Sequence, residues 1–279
     1  MKRIILLLPL FFIYCLTYPQ QQSQYVSIQS SGTIIMAAIC TNGISIAADS
    51  RSVLFDNNLK VYAYYEGVKK LYAINNFIIA TSGLYDFKNI TLEGVLQKFA
   101  SKYKGTNLPI QNFLTTFFEF SHSLLNKGDY DSLRKNCFLV CGYKNNTPII
   151  YKYKSRKIDS IMTTGFMSNY DFTKQNNQMV NDFLLTANMI KTNTFLSVFL
   201  NYKITDENKN EIGKIGGPLS TVNIINNKIS WFSNQNKYQF LTPMEYANAY
   251  RRGEIKLIYR SSQDSITYKK SMDYFYPVK

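Results

Sequence analysis

The chain has 279 residues, a formal charge of +14 at neutral pH, four cysteines and a single histidine, and 46% of its residues are apolar. That is enough apolar sequence to fill a large core without disulfides. A Ser-His-Asp triad, a Cys-His pair or a histidine-rich zinc site would each have to use His122, which lies on the flank of an amphipathic helical pattern and reads as a surface histidine. The basic residues would draw the chain towards anions, yet they are scattered through Asn- and Tyr-rich sequence, so no nucleic-acid partner is expected.

At the N-terminus, Lys2-Arg3 precedes an apolar run over 4–16, shorter than the roughly twenty residues a bilayer span needs. It reads as a signal peptide over 1–17 and hence as export, periplasmic or secreted. The alternative is an uncleaved segment that anchors the chain to a membrane. Residues 18–32, with Gln20-Gln21-Gln22-Ser23-Gln24 and a final Gly32, read as a disposable propeptide.

Thr33 opens a buried-strand run over 33–40, and Asn42-Gly43 turns it into a second strand over 44–48. Two strands joined by an Asn-Gly turn make a hairpin, which returns Asp49 to the side of Thr33. Residues 68–74, carrying Lys70, and 77–82 form a further pair around Asn75-Asn76. Two helices are predicted next. Leu92, Val95, Leu96, Phe99 and Tyr103 share one face of the first, and Ile110, Phe113, Leu114, Phe117, Ser121 and Leu124 share one face of the second.

Strands over 137–143 and 148–154 pair about Asn145-Asn146, and 157–164 continues that sheet. A helical pair follows over 171–187 and 193–203, then strands over 219–225 and 228–232 that turn at Asn226-Asn227. The remaining 236–279 read as an extension, with a helical segment over 243–251, a strand-like 255–259 and a tyrosine-rich tail. Cys137 and Cys141 share a strand face too far apart to pair, so they read as buried thiols. Blocks of strands alternating with blocks of helices predict a layered α+β fold. Strands apolar on both faces predict a sheet covered on each side.

Four groups of residues carry chemistry: Gly32-Thr33, Asp49-Ser50-Arg51, Val68-Lys69-Lys70 and Ala80-Thr81-Ser82-Gly83. In their order and spacing they resemble the catalytic β subunits of the proteasome and the wider N-terminal nucleophile (Ntn) hydrolase superfamily. The resemblance runs over roughly 33–231 and is strongest near its start. It implies a four-layer αββα sandwich over 33–235 with a C-terminal appendage. It also implies self-cleavage at the Gly32-Thr33 bond, which frees Thr33 as the new N-terminus. The Thr33 hydroxyl is then the nucleophile and its own α-amine the base. A free α-amine titrates at about 7.7–8.0, well suited to that task. Asp49 would hold Lys70, whose charge favours alkoxide character at Thr33. Arg51 would brace Asp49 or a second carboxylate, and the Gly83 N–H would stabilise the oxyanion.

The chain departs from the family in three places. Extra residues lie between Arg51 and Lys70. Thr164 stands where the family places a serine after a mid-chain strand. In the late loop, Ile212-Gly213-Lys214-Ile215 precedes Gly216-Gly217-Pro218 where the family has an aspartate and a serine, and Glu211 is the nearest carboxylate. The resemblance implies a threonine-type peptidase or amidohydrolase acting on an amide bond in a peptide or small substrate. No cofactor, no metal and no ATPase partner are expected, and homo-oligomer formation is left open. The rival readings are a catalytically inactive assembly or binding protein, and an acyl or peptidyl transferase of the same fold.

Overall fold

Asparagine turns set the order of the strands. In the computed structural model, which describes residues 30–31, 33–55, 61–85, 87, 89–170, 174–207, 215–233 and 248–275, Asn145-Asn146 (φ 49° and 63°) and Asn226-Asn227 (φ 48° and 63°) close hairpins, and Ser155-Arg156 (φ 53° and 66°) closes another. Two successive residues at positive φ match the twist of the strands they join, and the short amide of asparagine tolerates that conformation.

The strands form three antiparallel sheets. In the first, β1 (Ser30–Ser31) pairs with β4 (Ser52–Phe55), β4 with β5 (Val61–Tyr65), and β5 with β14 (Ile258–Tyr259). The second has the order β11 (Gly165–Ser168), β2 (Ile35–Cys40), β3 (Gly43–Ala48), β12 (Ser220–Ile225), β13 (Lys228–Ser233). The third runs β10 (Lys157–Ile161), β9 (Thr147–Lys154), β8 (Cys137–Lys144), β7 (Phe77–Ser82), β6 (Leu71–Ile74). The helices are α1 (Leu92–Lys102), α2 (Phe113–Leu124), α3 (Lys127–Leu133), α4 (Lys174–Thr186), α5 (Met189–Glu207) and α6 (Ser262–Phe275).

Alternation along the strands explains how two sheets become buried on both faces. Ile35, Ala37 and Ile39 of β2 meet Ile78 and Ala80 of β7 and Leu139 and Cys141 of β8 in one apolar cluster. Ile34, Met36 and Ala38 point the other way, onto Val180 and Leu184 of α4 and Leu196 and Leu200 of α5. Phe138 and Val140 of β8 likewise turn from the shared cluster to join Leu92, Val95, Phe99, Phe113 and Phe117 of α1 and α2. The result is a mixed α/β architecture with antiparallel sheets.

Several elements differ from the sequence expectation. Residues 157–164 do not continue as one strand: β10 ends at Ile161, and the chain crosses into another sheet, where β11 pairs with β2. Between Arg51 and Lys70 lie two further strands, β4 and β5. A short helix, α3, is capped by Asn126, whose side chain accepts from the Asp129 N–H at 3.0 Å. The tyrosine-rich tail holds α6. Lys70 precedes β6 rather than lying within it.

His122 is exposed on α2 and packs edge-on against Tyr130, ring centroids 4.7 Å apart. Cys40, Cys137 and Cys141 are buried free thiols. Among the described residues, no helix is long and apolar enough to cross a membrane. The segments read as a signal peptide over 1–17 and, apart from Ser30 and Ser31, as a propeptide over 18–32, and the loop with Glu211, lie outside the described residues.

Candidate active site

The β2–β3 register builds the centre of the site. Ile35 pairs with Ala48, so the residues just outside the hairpin, Thr33-Ile34 and Asp49, face each other. The Ile34 N–H donates to Asp49 Oδ1 at 2.8 Å, and the Asp49 N–H donates to the Ile34 carbonyl at 3.2 Å. Lys70 reaches the same carboxylate from before β6, with Nζ 3.0 Å from Asp49 Oδ1 and both side chains fully buried. It also donates to the Arg51 carbonyl.

The other carboxylate oxygen, Asp49 Oδ2, accepts from the Gly216 N–H at 2.8 Å and the Arg51 N–H at 3.4 Å. Gly216 returns its own carbonyl to the N–H groups of Ser50 and Arg51. A Cβ on Gly216 would stand 2.4 Å from Arg51 Cζ, so only glycine lets this loop come so near. Burial pushes the Asp49 carboxyl up from its ordinary value and the Lys70 ammonium down from its own. The ion pair and the N–H groups of Gly216 and Ile34 oppose those shifts, as charge partners and donors to a carboxylate do.

Arg51 turns its guanidinium away from Asp49. Nη2 donates to Glu66 Oε1 at 2.7 Å, and Cζ lies 4.1 Å from the centre of the Tyr64 ring. The carboxylate that braces Arg51 thus comes from just after β5, between Arg51 and Lys70.

Thr33 itself is buried. Its hydroxyl lies 2.9 Å from the Tyr85 hydroxyl. Its carbonyl accepts from Asn169 Nδ2 at 2.8 Å and from Ser82 Oγ at 3.3 Å. Asn169 Nδ2 also meets Ser82 Oγ at 2.9 Å, and its Oδ1 accepts from the Ile35 N–H at 2.9 Å. Gly83 follows Ser82 at φ 133°, where an added Cβ would strike Asn136 Oδ1 at 2.2 Å. Asn136 in turn binds both main-chain groups of Leu84, at 2.7 Å and 2.6 Å, which fixes the course of the segment from Gly83 to Tyr85.

Of the residues expected from the sequence, Thr33, Asp49, Arg51 and Lys70 converge, with Gly83 next to a residue that touches Thr33. Thr164 does not join them. It precedes β11, whose Gly165 pairs with Ile39 and whose Ser168 pairs with Met36. Thr164 therefore lies beyond the Ile39 end of β2, about 20 Å along the strand from Thr33. Asn169, just past Ser168, reaches Thr33 instead. Sequence reasoning also missed Ser82, Tyr85 and Glu66. Only Ser82, adjacent to Gly83, carried a signal. Among the described residues no group of three or more His, Cys, Asp or Glu is placed to hold a metal ion.

The arrangement ties the backbone next to Thr33 to a buried ion pair and fixes the Thr33 carbonyl with two donors. An ammonium removed from water acts strongly over short distances, so such a pair can favour negative charge that develops close to it.

No family model and no curated protein matches the chain. Among solved structures it is similar to an Anbu (Gly-1) mutant from Hyphomicrobium sp. strain MC1. The identity is 13%, the match covers 80% of this chain and 96% of that one, and the TM-score is 0.49.

Proposed function

We propose that the chain is a self-processing threonine hydrolase of the Ntn type that cleaves amide bonds, on a four-layer αββα sandwich. The observation that carries this reading is the buried charge pair tied to the backbone next to Thr33: the Ile34 N–H donates to Asp49, and Asp49 holds Lys70. An ordinary strand start has no use for a fully buried lysine and aspartate, which cost several kcal/mol to remove from water. The apolar cluster shared by two sheets, with helices on the far face of each, supports the sandwich.

In this reading Thr33 Oγ adds to the Gly32 carbonyl carbon, the C–N bond breaks, and the acyl group passes to oxygen while the proton goes to the new α-amine. Water then hydrolyses the ester, releasing residues up to Gly32 as a carboxylate and leaving a free Thr33. In turnover the α-amine takes the hydroxyl proton, Oγ adds to the substrate carbonyl, and the protonated amine fragment leaves. A second water frees the acyl group. The Lys70 charge favours the oxyanion-bearing steps, with the Gly83 N–H as the donor to that oxygen.

The substrate is an extended peptide in preference to a compact amide. Ser30 and Ser31 lie as a strand on Leu54 and Val53, so the chain entering the Gly32-Thr33 bond is held extended. The apolar run over 4–16 supports export. The test is the intact mass and N-terminal sequence of the purified protein. The mature chain should begin Thr33-Ile34-Ile35-Met36, and Thr33→Ala should retain the preceding residues. A wild-type chain that keeps Gly32 joined to Thr33 removes this reading and leaves the non-catalytic one.

A further inference from the structure

Tyr85 is fully buried, and its phenolic oxygen meets two other oxygens, Thr33 Oγ1 at 2.9 Å and the Thr81 carbonyl. A phenol has a single hydrogen, and a carbonyl can only accept. The Tyr85 hydrogen therefore goes to Thr81, and at the other contact Thr33 is the donor. Burial raises the phenol well above its ordinary pKa, so Tyr85 stays neutral and is no base for the Thr33 proton. Its place is held from several sides. The Leu92 N–H at the start of α1 donates to the Tyr85 carbonyl at 2.8 Å, Asn136 brackets Leu84, and the ring belongs to the core beneath α1 and α2.

We propose that Tyr85 is a positioning residue for the nucleophile: by accepting the Thr33 hydroxyl hydrogen it holds Oγ1 in one rotamer, with the oxygen lone pairs turned away from the phenol. This role rests on the reading of Thr33 as the nucleophile. The threonine methyl already narrows χ1, and the phenol selects among what remains. Without it, Oγ1 spends part of its time away from the line of attack, and a rate that depends on alignment falls.

The test follows self-cleavage of the full chain during cell-free synthesis, by intact mass against time, for wild type, Tyr85→Phe, Thr33→Ser and the double variant. Tyr85→Phe keeps the ring and loses one acceptor, and should slow cleavage about tenfold. Thr33→Ser lacks the methyl and leans harder on the phenol, so the double variant should be slower than the product of the two single factors. Tyr85→Met, which fills the space without an oxygen, is the second variant should the first fail to fold, and must show the same loss. The thermal midpoint of each variant is read alongside. A purely structural role would give rates that follow the midpoint and factors that multiply. Multiplying factors, or wild-type cleavage by Tyr85→Phe, overturn the positioning role while leaving Thr33 as the nucleophile. A wild-type chain that never cleaves overturns both.

Discussion

Asp49 and Lys70 have side chains wholly removed from water, so each depends on the other and on main-chain groups for its charge. Lys70→Ala leaves the carboxylate without its counter-charge and should cost about 3–5 kcal/mol of stability, read from urea unfolding, and it should stop self-cleavage. The paired change Asp49→Asn with Lys70→Met removes both charges and keeps similar volume, so most of that stability should return while cleavage stays absent. Recovery of cleavage in the paired variant would show that the charges do not serve the reaction. Asn169→Ala offers a second measurement. It takes one donor from the Thr33 carbonyl and leaves the buried Ile35 N–H without its acceptor, at a cost of about 1–3 kcal/mol. Thr33, Asp49 and Lys70 were legible because a hairpin of fixed register brings the first two together and a lysine of matching order supplies the third. Tyr85 and Asn169 were not, since each reaches Thr33 from a loop whose path is set by tertiary packing. Thr164 illustrates the same limit: naming the right residue at a strand end needs the register, and here the strand crosses to another sheet first.

Hairpins around asparagine pairs and helices with an unbroken apolar face could be read from the chain, because local conformation and period decide them. The β4–β5 pair could not. Asp56-Asn57-Asn58 lies between its strands in the sequence, but those strands find their place against β1 and β14, from opposite ends of the chain. That small sheet also carries Tyr64 and Glu66 to the Arg51 side chain. Glu66 is about one-third exposed, so the ion pair alone is weak: Glu66→Gln should shift the unfolding free energy by less than about 1 kcal/mol. Arg51→Ala should cost more, because it also removes the stacking on Tyr64 and the packing against Gly216. Equal effects of the two substitutions in urea unfolding would mean that the charge pair, not the contact surface, holds Arg51. Gly83→Ala tests the segment across the site. Its positive φ and the collision with Asn136 predict a loss of about 1–3 kcal/mol by the same assay.

The C-terminal residues, which read from the sequence as an extension, contribute to the largest apolar cluster among the described residues. Ala249, Ile255, Leu257, Tyr268 and Met272 belong to the same core as Phe99 and Phe117 of α1 and α2. Tyr268 of α6 lies 5.8 Å from the Tyr62 ring of β5, 5.2 Å from Tyr250 and 6.0 Å from Tyr259, centre to centre. The backbone joins in: Ile258 pairs with Tyr64, and the Arg260 N–H donates to the Tyr62 carbonyl at 3.0 Å. A tail rich in tyrosine has no marked helical stripe, and so its role could not be read without knowing what it covers. Once its partners are known, the consequence is specific. Tyr268→Ala should cost about 3–5 kcal/mol, the loss expected of a large aromatic cut from a filled core. Because that core is shared, calorimetry should still show a single transition, shifted down as a whole. Two transitions, with the upper one unmoved, would mean that the C-terminal residues unfold separately. The β5 strand that carries Tyr64 and leads to Glu66 would then be held by β4 alone, and Arg51 would owe nothing to the tail.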